Sequence, residues 1–173
     1  VYAIVIYYYD HRVACCGNSS VRPAGNTLDA DDVVYSFNRL MDMGQGFSFL
    51  FGSVESVTAL DSSTVQFKTS EPFAPLVASL MRLAIVDKDD VQANTVDGNY
   101  GDNGDYGEAY LLTNSAGTGA YKLGDHDPNV KTVLVKNNKY FQGHNSKAPD
   151  EVILKYSVEA ATIKALLLRG EHE

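Results

Sequence analysis

The stretch GNTLDADDVVYSFNRLMDMG, residues 25–44, carries the clearest structural signal in the sequence. Asp29 can cap a helix, with Asp32 at the third helical position and the carboxylate of Asp31 near the positive end of the helix dipole. Apolar residues recur behind this cap at helical spacing, at Val33, Phe37, Leu40 and Met41. Gly44 stands where a C-terminal cap is expected. The stretch therefore predicts a helix over residues 30–43.

Strands and further helices are predicted on both sides of this helix. Strands are expected at residues 1–9, 56–60, 64–69, 120–123, 131–136 and 151–156, and helices at 76–83 and 159–169. The second and third strands should form a hairpin whose inward side chains are Val57, Ala59, Val65 and Phe67. Residues 97–108, rich in Gly, Asp, Asn and Tyr, predict a long solvated loop. This alternation of elements predicts an α/β fold with a mixed sheet.

Length and charge exclude several functional classes. The chain has 173 residues, 45% of them hydrophobic, which suits one domain or one large lobe with a buried core. A formal net charge of −8 repels phosphate backbones and anionic lipid, so no nucleic-acid partner is expected. No apolar run approaches the ~20 residues needed to span a bilayer. The tyrosine-rich start lacks the features of a signal peptide, so the signal of an exported protein would lie outside this sequence.

Several segments together resemble the family 5 extracellular solute-binding proteins, which serve oligopeptide, dipeptide, nickel and some oligosaccharide importers. Residues 25–40 resemble the segment that opens the second lobe of these proteins. Further segments resemble the family in the same order, at residues 57–61, 65–67, 71–73, 117–123, 137–143, 149–152, 160–162 and 169–171. The chain departs from the family at residues 1–24, at Ala120, where Pro is common, and at Phe141, where Trp is common.

The resemblance implies an incomplete chain with the lobes of a type II periplasmic-binding-protein-like fold. Residues 1–116 would belong to the smaller second lobe, and residues 117–173 to part of the first lobe leading toward the cleft. The implied function is that of the substrate-binding subunit of an ABC importer. Such a subunit captures an extended ligand, a peptide or oligosaccharide, between two lobes and delivers it to a membrane permease. It would work in the periplasm or outside the cell, without enzymatic activity.

Three phenylalanines follow the helix at alternate positions, at Phe47, Phe49 and Phe51. A spacing of two would put them on one face of an extended segment, where a ring could cover a ligand. They could also pack between the helix and the hairpin, and we expect core packing for at least two of them. The resemblance implies that this region lies near the second lobe's side of the cleft.

The glycine-rich segment Gly117-Thr118-Gly119 is the second candidate feature. A phosphate-binding loop would continue with Lys and Ser or Thr and open a helix, whereas a strand is predicted here. The segment resembles the family's re-entry into the first lobe. We therefore expect Gly117, Thr118, Gly119 and Tyr121 to form a tight corner between the lobes.

The rival interpretation is an enzyme, in particular a carboxylate-based saccharide hydrolase. That chemistry needs two carboxylates in a cleft, one of them with a raised pKa. Helix capping already explains the cluster of Asp29, Asp31 and Asp32, so no catalytic residue is assigned. A third interpretation is a lobe that serves only to bind another protein.

No metal or other cofactor is expected. Cys15 and Cys16 are adjacent, and with His11 they form the only cluster of soft metal ligands, without a second pair at zinc spacing. Residues 97–108 contain many oxygen ligands but lack the spacing of a calcium-binding EF-hand. Both cysteines are therefore expected to be dispensable.

Overall fold

The computed structural model describes residues 28–140, 142–156 and 159–170 with their side chains, and the backbone of residues 2–7. Its strands are β1 Tyr2–Tyr7, β2 Val54–Asp61, β3 Thr64–Thr69, β4 Tyr121–Asp127, β5 Lys131–Lys136 and β6 Glu151–Lys155. Its α-helices are α1 Ala30–Met43, α2 Leu76–Ser79, α3 Lys88–Ala93, α4 Glu108–Leu111 and α5 Ala160–Leu168. Short 3-10 helices cover Ser48–Phe51, Leu80–Arg82 and Gly101–Asn103. The predicted α/β class is confirmed.

Helix α1 begins and ends as the sequence predicts. Asp29 accepts hydrogen bonds from the backbone N–H groups of Asp31 at 3.0 Å and Asp32 at 3.2 Å. The Asp32 carboxylate accepts in return from the backbone N–H of Asp29 at 2.9 Å, which completes a capping box. Gly44 ends the helix in the left-handed conformation, with φ of 61°, which glycine adopts at little cost.

Helix α1 packs on the first sheet, whose strand order is β1-β3-β2. The ring of Phe37 meets Phe51 and Phe67 edge to face, with centroids 5.5 and 5.7 Å apart. The buried members of this core are Ala30, Val33, Phe37, Phe51, Val65, Phe67, Leu76, Leu83 and Ile85. Val57 and Ala59 pack against them from β2. The inward positions predicted for the hairpin are thereby confirmed.

The second sheet has the strand order β4-β5-β6. All strand pairs in the described residues of both sheets are antiparallel, whereas the sequence analysis expected a mixed sheet. The connections from β2 to β3 and from β4 to β5 are two and three residues long. A parallel pair needs a crossover of about a dozen residues or more, so these connections require hairpins.

Short helices account for most other differences from the predicted elements. The helix expected at residues 76–83 divides into α2 and a 3-10 helix, with Pro75 as the N-cap residue of α2. Helices α3 and α4 were not predicted at all. They have six and four residues, too few for hydrophobic periodicity to indicate a helix.

Helix α5 lies within the predicted residues 159–169, and Gly170 follows it in the left-handed conformation with φ of 68°. Its apolar side chains are exposed at Ile163 and Leu167 and partly buried at Leu166. Among the described helices, none combines the length and the hydropathy needed to cross a membrane.

Two buried polar side chains of α1 hold the segment that leads into α3. Oδ1 of Asp32 accepts from the backbone N–H of Lys88 at 2.9 Å. The hydroxyl of Ser36 accepts from the N–H of Val86 at 2.9 Å and donates to the carbonyl of Asp32 at 2.7 Å. Burying these groups is tolerated because they are hydrogen-bonded. Residues 86–88 are therefore fixed against the first turns of α1.

We predict that Asp29→Ala lowers the free energy of unfolding by about 1 kcal/mol, because two backbone N–H groups lose their acceptor. Urea unfolding followed by circular dichroism measures the change. The control is Asn38→Ala, an exposed position of the same helix, which should not destabilise the protein. Equal midpoints for Asp29→Ala and the parent protein would contradict the capping role.

Candidate functional site

The three candidate phenylalanines lie on the turn that follows α1. Residues 48–51 form a 3-10 helix, not an extended segment, so the expectation that all three share one face is wrong. Phe51 is fully buried in the first core, whereas Phe47 is 44% exposed and Phe49 is 73% exposed. Core packing was expected for at least two of the rings, and the buried ring is Phe51 alone.

The two exposed rings form a small aromatic patch with a cationic neighbour. Phe47 and Phe49 have centroids 6.4 Å apart and planes inclined by 45°. The guanidinium of Arg82 lies over the Phe47 ring, 5.1 Å from its centroid, within the range of a cation–π contact. We call Phe47, Phe49 and Arg82 the aromatic patch. It offers an apolar face and one positive charge to whatever lies against it.

The glycine-rich corner lies between the two sheets in sequence and is partly buried. Gly117 is buried, and Thr118, Gly119 and Tyr121 are half-buried. The Tyr121 hydroxyl donates to the carbonyl of Pro149 at 2.7 Å, and its ring meets His144 nearly edge-on, with centroids 5.9 Å apart. These contacts attach the end of the corner to the loop that connects β5 to β6.

Asn137, which follows β5, contacts the same corner, although nothing in the sequence predicts this role. Its side-chain amide donates to the carbonyl of Gly119 at 3.0 Å, and its backbone N–H donates to the carbonyl of Ala120 at 2.9 Å. Asn137 is buried. In the sequence it stands in a polar run, Asn137-Asn138-Lys139, that is typical of a surface turn. No local pattern distinguishes it from its neighbour Asn138.

Residues 97–108 are only partly the solvated loop that the sequence predicts, because residues 97–99, 101, 102 and 108 are exposed but the segment also buries a tyrosine. Tyr106 is only 2% exposed, and its ring packs against Tyr35 and Tyr100, with centroids 5.8 and 5.4 Å away. The Tyr106 hydroxyl donates to Oδ2 of Asp42 at 2.5 Å. Burial, followed by this contact with a carboxylate, raises the pKa of the Tyr106 phenol. This segment therefore forms a second, smaller core against α1.

Asp105 organises the same segment through backbone hydrogen bonds. Oδ2 accepts from the N–H of Ala109 at 3.0 Å, and Oδ1 accepts from Val96 at 3.1 Å and Gly107 at 2.8 Å. These donors, Ala109 first, hold the pKa of the Asp105 carboxyl below its usual range. Its oxygens therefore serve the loop's own backbone, and the calcium-ligand interpretation gains no support.

The acidic cluster at the start of α1 is likewise occupied by backbone donors. Asp29 accepts from the helix N-terminus, and Asp32 accepts from Asp29 and Lys88. The cluster is therefore explained by capping.

Among the described residues, no group of three or more His, Cys, Asp or Glu side chains is arranged to hold a metal ion. His11, Cys15 and Cys16 lie outside the described residues, so the expectation that the cysteines are dispensable stays a prediction.

Comparison with known proteins gives a consistent match over most of the chain. The family of bacterial extracellular solute-binding proteins, family 5 Middle, matches residues 24–172. The "Probable D,D-dipeptide-binding periplasmic protein DdpA" of Escherichia coli (strain K12) is 30% identical over 149 residues, which are 85% of this chain and 27% of that protein.

Solved structures agree with this match. The DppA protein from Helicobacter pylori in complex with peptide STSA is 26% identical, with a TM-score of 0.64, and the match covers 86% of this chain and 31% of that one. HbpA2 from Haemophilus parasuis is 23% identical, with a TM-score of 0.70. The match covers 98% of this chain and 34% of the HbpA2 chain, and it shows that the two share a fold. The chain spans about a third or less of each relative.

We predict that Asp105 stabilises the protein in a pH-dependent way. Because its pKa is lowered on folding, its contribution is full above the ordinary pKa of an aspartate and disappears as the pH falls through the folded-state pKa. The difference in unfolding free energy between the parent protein and Asp105→Asn should therefore be largest near neutral pH and shrink in acid. Urea unfolding at a series of pH values measures it.

The control for this prediction is Asp102→Asn, an exposed position of the same segment. This variant should follow the parent protein across the pH series. A difference for Asp105→Asn that stays constant down to acid pH would show that the charge of Asp105 contributes nothing.

Proposed function

The chain belongs to family 5 of the bacterial extracellular solute-binding proteins, and from this premise we propose that it forms part of the ligand-capturing subunit of an ABC importer. The observation that carries the proposal is the family match over residues 24–172, which includes both sheets except β1. The whole subunit would bind its ligand outside the cytoplasm and present it to a membrane permease.

A short extended peptide is the ligand class that we propose. The E. coli relative is named for D,D-dipeptide binding, and the H. pylori structure holds the peptide STSA. At 30% and 26% identity, these two relatives favour a peptide. A Thermotoga maritima protein bound to mannohexaose is only 19% identical and supports the fold alone, so an oligosaccharide is the second candidate.

We further propose that residues 1–116 belong to the second lobe and residues 117–173 to part of the first. In support, no described strand pairs across this boundary, since β1, β2 and β3 form one sheet and β4, β5 and β6 the other. Within the described residues, the hydrogen bonds of each sheet thus stay on one side of this boundary. The corner at Gly117–Tyr121 is where the chain passes from one sheet to the other.

The aromatic patch is our proposed ligand-facing surface on the second lobe. Phe49 is the most exposed of the three phenylalanines, and its turn is anchored in the core by Phe51. Aromatic rings that are presented on a fixed turn bury a large apolar area against a ligand and lose little conformational entropy. Arg82, over Phe47, would add an attraction for a carboxylate or a carbonyl dipole.

The mechanism requires binding alone. Lobes that close on an extended ligand hold it by backbone hydrogen bonds and apolar pockets, and the closed form can then be distinguished from the open form by a permease. The carboxylates of Asp29, Asp32 and Asp105 already accept hydrogen bonds from backbone N–H groups, which suits a structural role more than general acid catalysis. This favours a binding protein over the hydrolase alternative.

We predict that the 173-residue chain alone gives no saturable heat in calorimetric titrations with a mixed peptide pool or with oligosaccharides. One wall of a cleft buries too little ligand surface to offset the cost of association. The full-length protein should bind one of these pools and gain thermal stability without forming product. Product formation would favour the hydrolase, and micromolar binding by the isolated chain would contradict a cleft shared between lobes.

We predict that Phe49→Ala in the full-length protein weakens peptide binding by about tenfold, as expected for the loss of one aromatic contact, with an unchanged melting temperature. Leu60→Ala, another exposed apolar position, on β2, is the control and should bind as the parent does. Phe51→Ala should instead destabilise the fold by about 3–5 kcal/mol. Parent-like affinity for Phe49→Ala would remove the aromatic patch from the binding site.

A further inference from the structure

The segment at residues 101–106 contains Asn103-Gly104, the one Asn-Gly pair in the sequence. An asparagine that precedes glycine is especially prone to deamidation, because glycine has no side chain to keep its backbone nitrogen away from the asparagine amide. Asn103 ends a 3-10 helix, and Gly104 follows it as the C-cap residue. A chemically reactive pair therefore lies beside Tyr106 of the second core.

The fold requires glycine at position 104. Gly104 has φ of 54° and ψ of −122°, a backbone conformation that glycine alone adopts readily. A Cβ atom here would lie 2.2 Å from the carbonyl oxygen of Val96 and 2.6 Å from the side chain of Thr95. The backbone N–H of Gly104 donates to the carbonyl of Gly101 at 2.9 Å, and its own carbonyl accepts from the N–H of Tyr100 at 3.0 Å. A larger residue would disrupt this turn.

The fold also requires an amide at position 103. The Tyr106 hydroxyl has one proton, which it donates to Oδ2 of Asp42 at 2.5 Å. It must therefore accept from its other neighbour, and the side-chain amide of Asn103 donates to it at 2.8 Å. An ionised aspartate in place of Asn103 would have no proton to donate and would bring a second carboxylate close to Asp42. Because Tyr106 is only 2% exposed, water does not readily replace the lost donor.

We propose that Asn103 is a deamidation site that the fold keeps closed, and that its conversion to aspartate removes the hydrogen-bonded support of the Tyr106 side chain. In the reaction, the backbone nitrogen of Gly104 forms a bond to Cγ of Asn103, and the bond from Cγ to Nδ2 breaks. Nδ2 leaves as ammonia with the proton of the Gly104 nitrogen, so that a succinimide ring remains. Water then opens the ring at either carbonyl and gives aspartate or isoaspartate.

Hydrogen bonds of the folded segment oppose the first step of this reaction. The Gly104 N–H is held by the carbonyl of Gly101, and the Asn103 amide is held by the Tyr106 hydroxyl. Both must be released before the Gly104 nitrogen can reach Cγ. The reaction is therefore limited to the molecules in which this segment has opened. The aspartate product lacks the donor that closed the segment, so refolding does not restore the original contacts.

The rate of deamidation tests whether the fold keeps the site closed. The purified protein is incubated at mildly alkaline pH, in buffer and in urea, and the proteolytic peptide that contains Asn103 is followed by mass spectrometry. We expect the folded protein to react at least about tenfold more slowly than the unfolded protein, because the reaction requires local opening.

Two tyrosine variants show whether the Tyr106 hydroxyl closes the site. Tyr106→Phe keeps the ring but removes the acceptor of the Asn103 amide, and it should raise the rate in the folded protein about threefold or more. The matched control is Tyr100→Phe, which changes a neighbouring ring of the same cluster and should react as the parent does.

A permanent aspartate tests the consequence of the conversion. Asn103→Asp should lower the melting temperature by several degrees at neutral pH, because the Tyr106 hydroxyl loses its donor and faces two carboxylates. The difference should shrink in acid, where a protonated carboxyl can again donate to Tyr106. The matched control is Asn99→Asp, an exposed position nearby, which adds the same charge and should melt as the parent does.

Equal rates in buffer and in urea, or no reaction in urea, would overturn the inference, and so would a Tyr106→Phe rate equal to that of Tyr100→Phe. A melting temperature of Asn103→Asp no lower than that of Asn99→Asp would also overturn it, since the conversion would then leave the second core intact. If Asn103→Asp does not fold, Asn103→Ala, which removes the donor without adding a charge, takes its place in the melting comparison.

Discussion

The buried carboxylate of Asp32 is the constraint on which most of the described structure depends. A carboxyl group is buried at low cost only when its oxygens accept hydrogen bonds, and Asp32 accepts from the backbone of Asp29 and of Lys88. The first bond closes the start of α1, and the second brings in the chain from a distant part of the sequence. Both donors are backbone groups near helix N-termini, where negative charge is favoured. One side chain thus fixes the start of a helix and the position of the segment leading to the second sheet.

Helix α1 separates two cores of different character. On one side, Phe37 packs with Phe51 and Phe67 in an apolar cluster of the kind that hydrophobic periodicity indicates. On the other, Tyr35 and Tyr106 pack in a smaller cluster whose hydroxyls require partners. Tyr106 enters the second cluster with a positive φ of 53°, a backbone conformation that costs free energy for a residue with a side chain. The hydrogen bonds of the surrounding loop, centred on Asp105, offset that cost.

The sequence predicted those parts of the fold that depend on residues close together in the chain. The helix over residues 30–43 and its caps, and the inward side chains of the hairpin, follow from periodicity and from end groups that lie within a few residues of one another. Tyr106 and Asn137 were missed because their burial depends on residues far along the chain, Asp42 in one case and Gly119 in the other. Each stands in a run of polar and glycine residues that is typical of exposed loops. The 3-10 turn at Phe49 and Phe51 was not foreseen, so neither a shared face nor core packing of two rings describes what the structure shows there.

That 3-10 turn bears directly on the proposed binding role. With about three residues per turn, positions two apart point in different directions, so Phe51 can enter the core while Phe49 faces solvent. The buried ring fixes the turn, and the exposed ring is therefore held in place before any ligand arrives. Binding by a pre-organised ring avoids part of the entropy that ordering a free side chain would cost. The carboxylates of Asp29, Asp32 and Asp105, by contrast, already accept hydrogen bonds from backbone N–H groups. The exposed groups of the aromatic patch are aromatic and cationic, which suits contact with a ligand more than transfer of a proton to one.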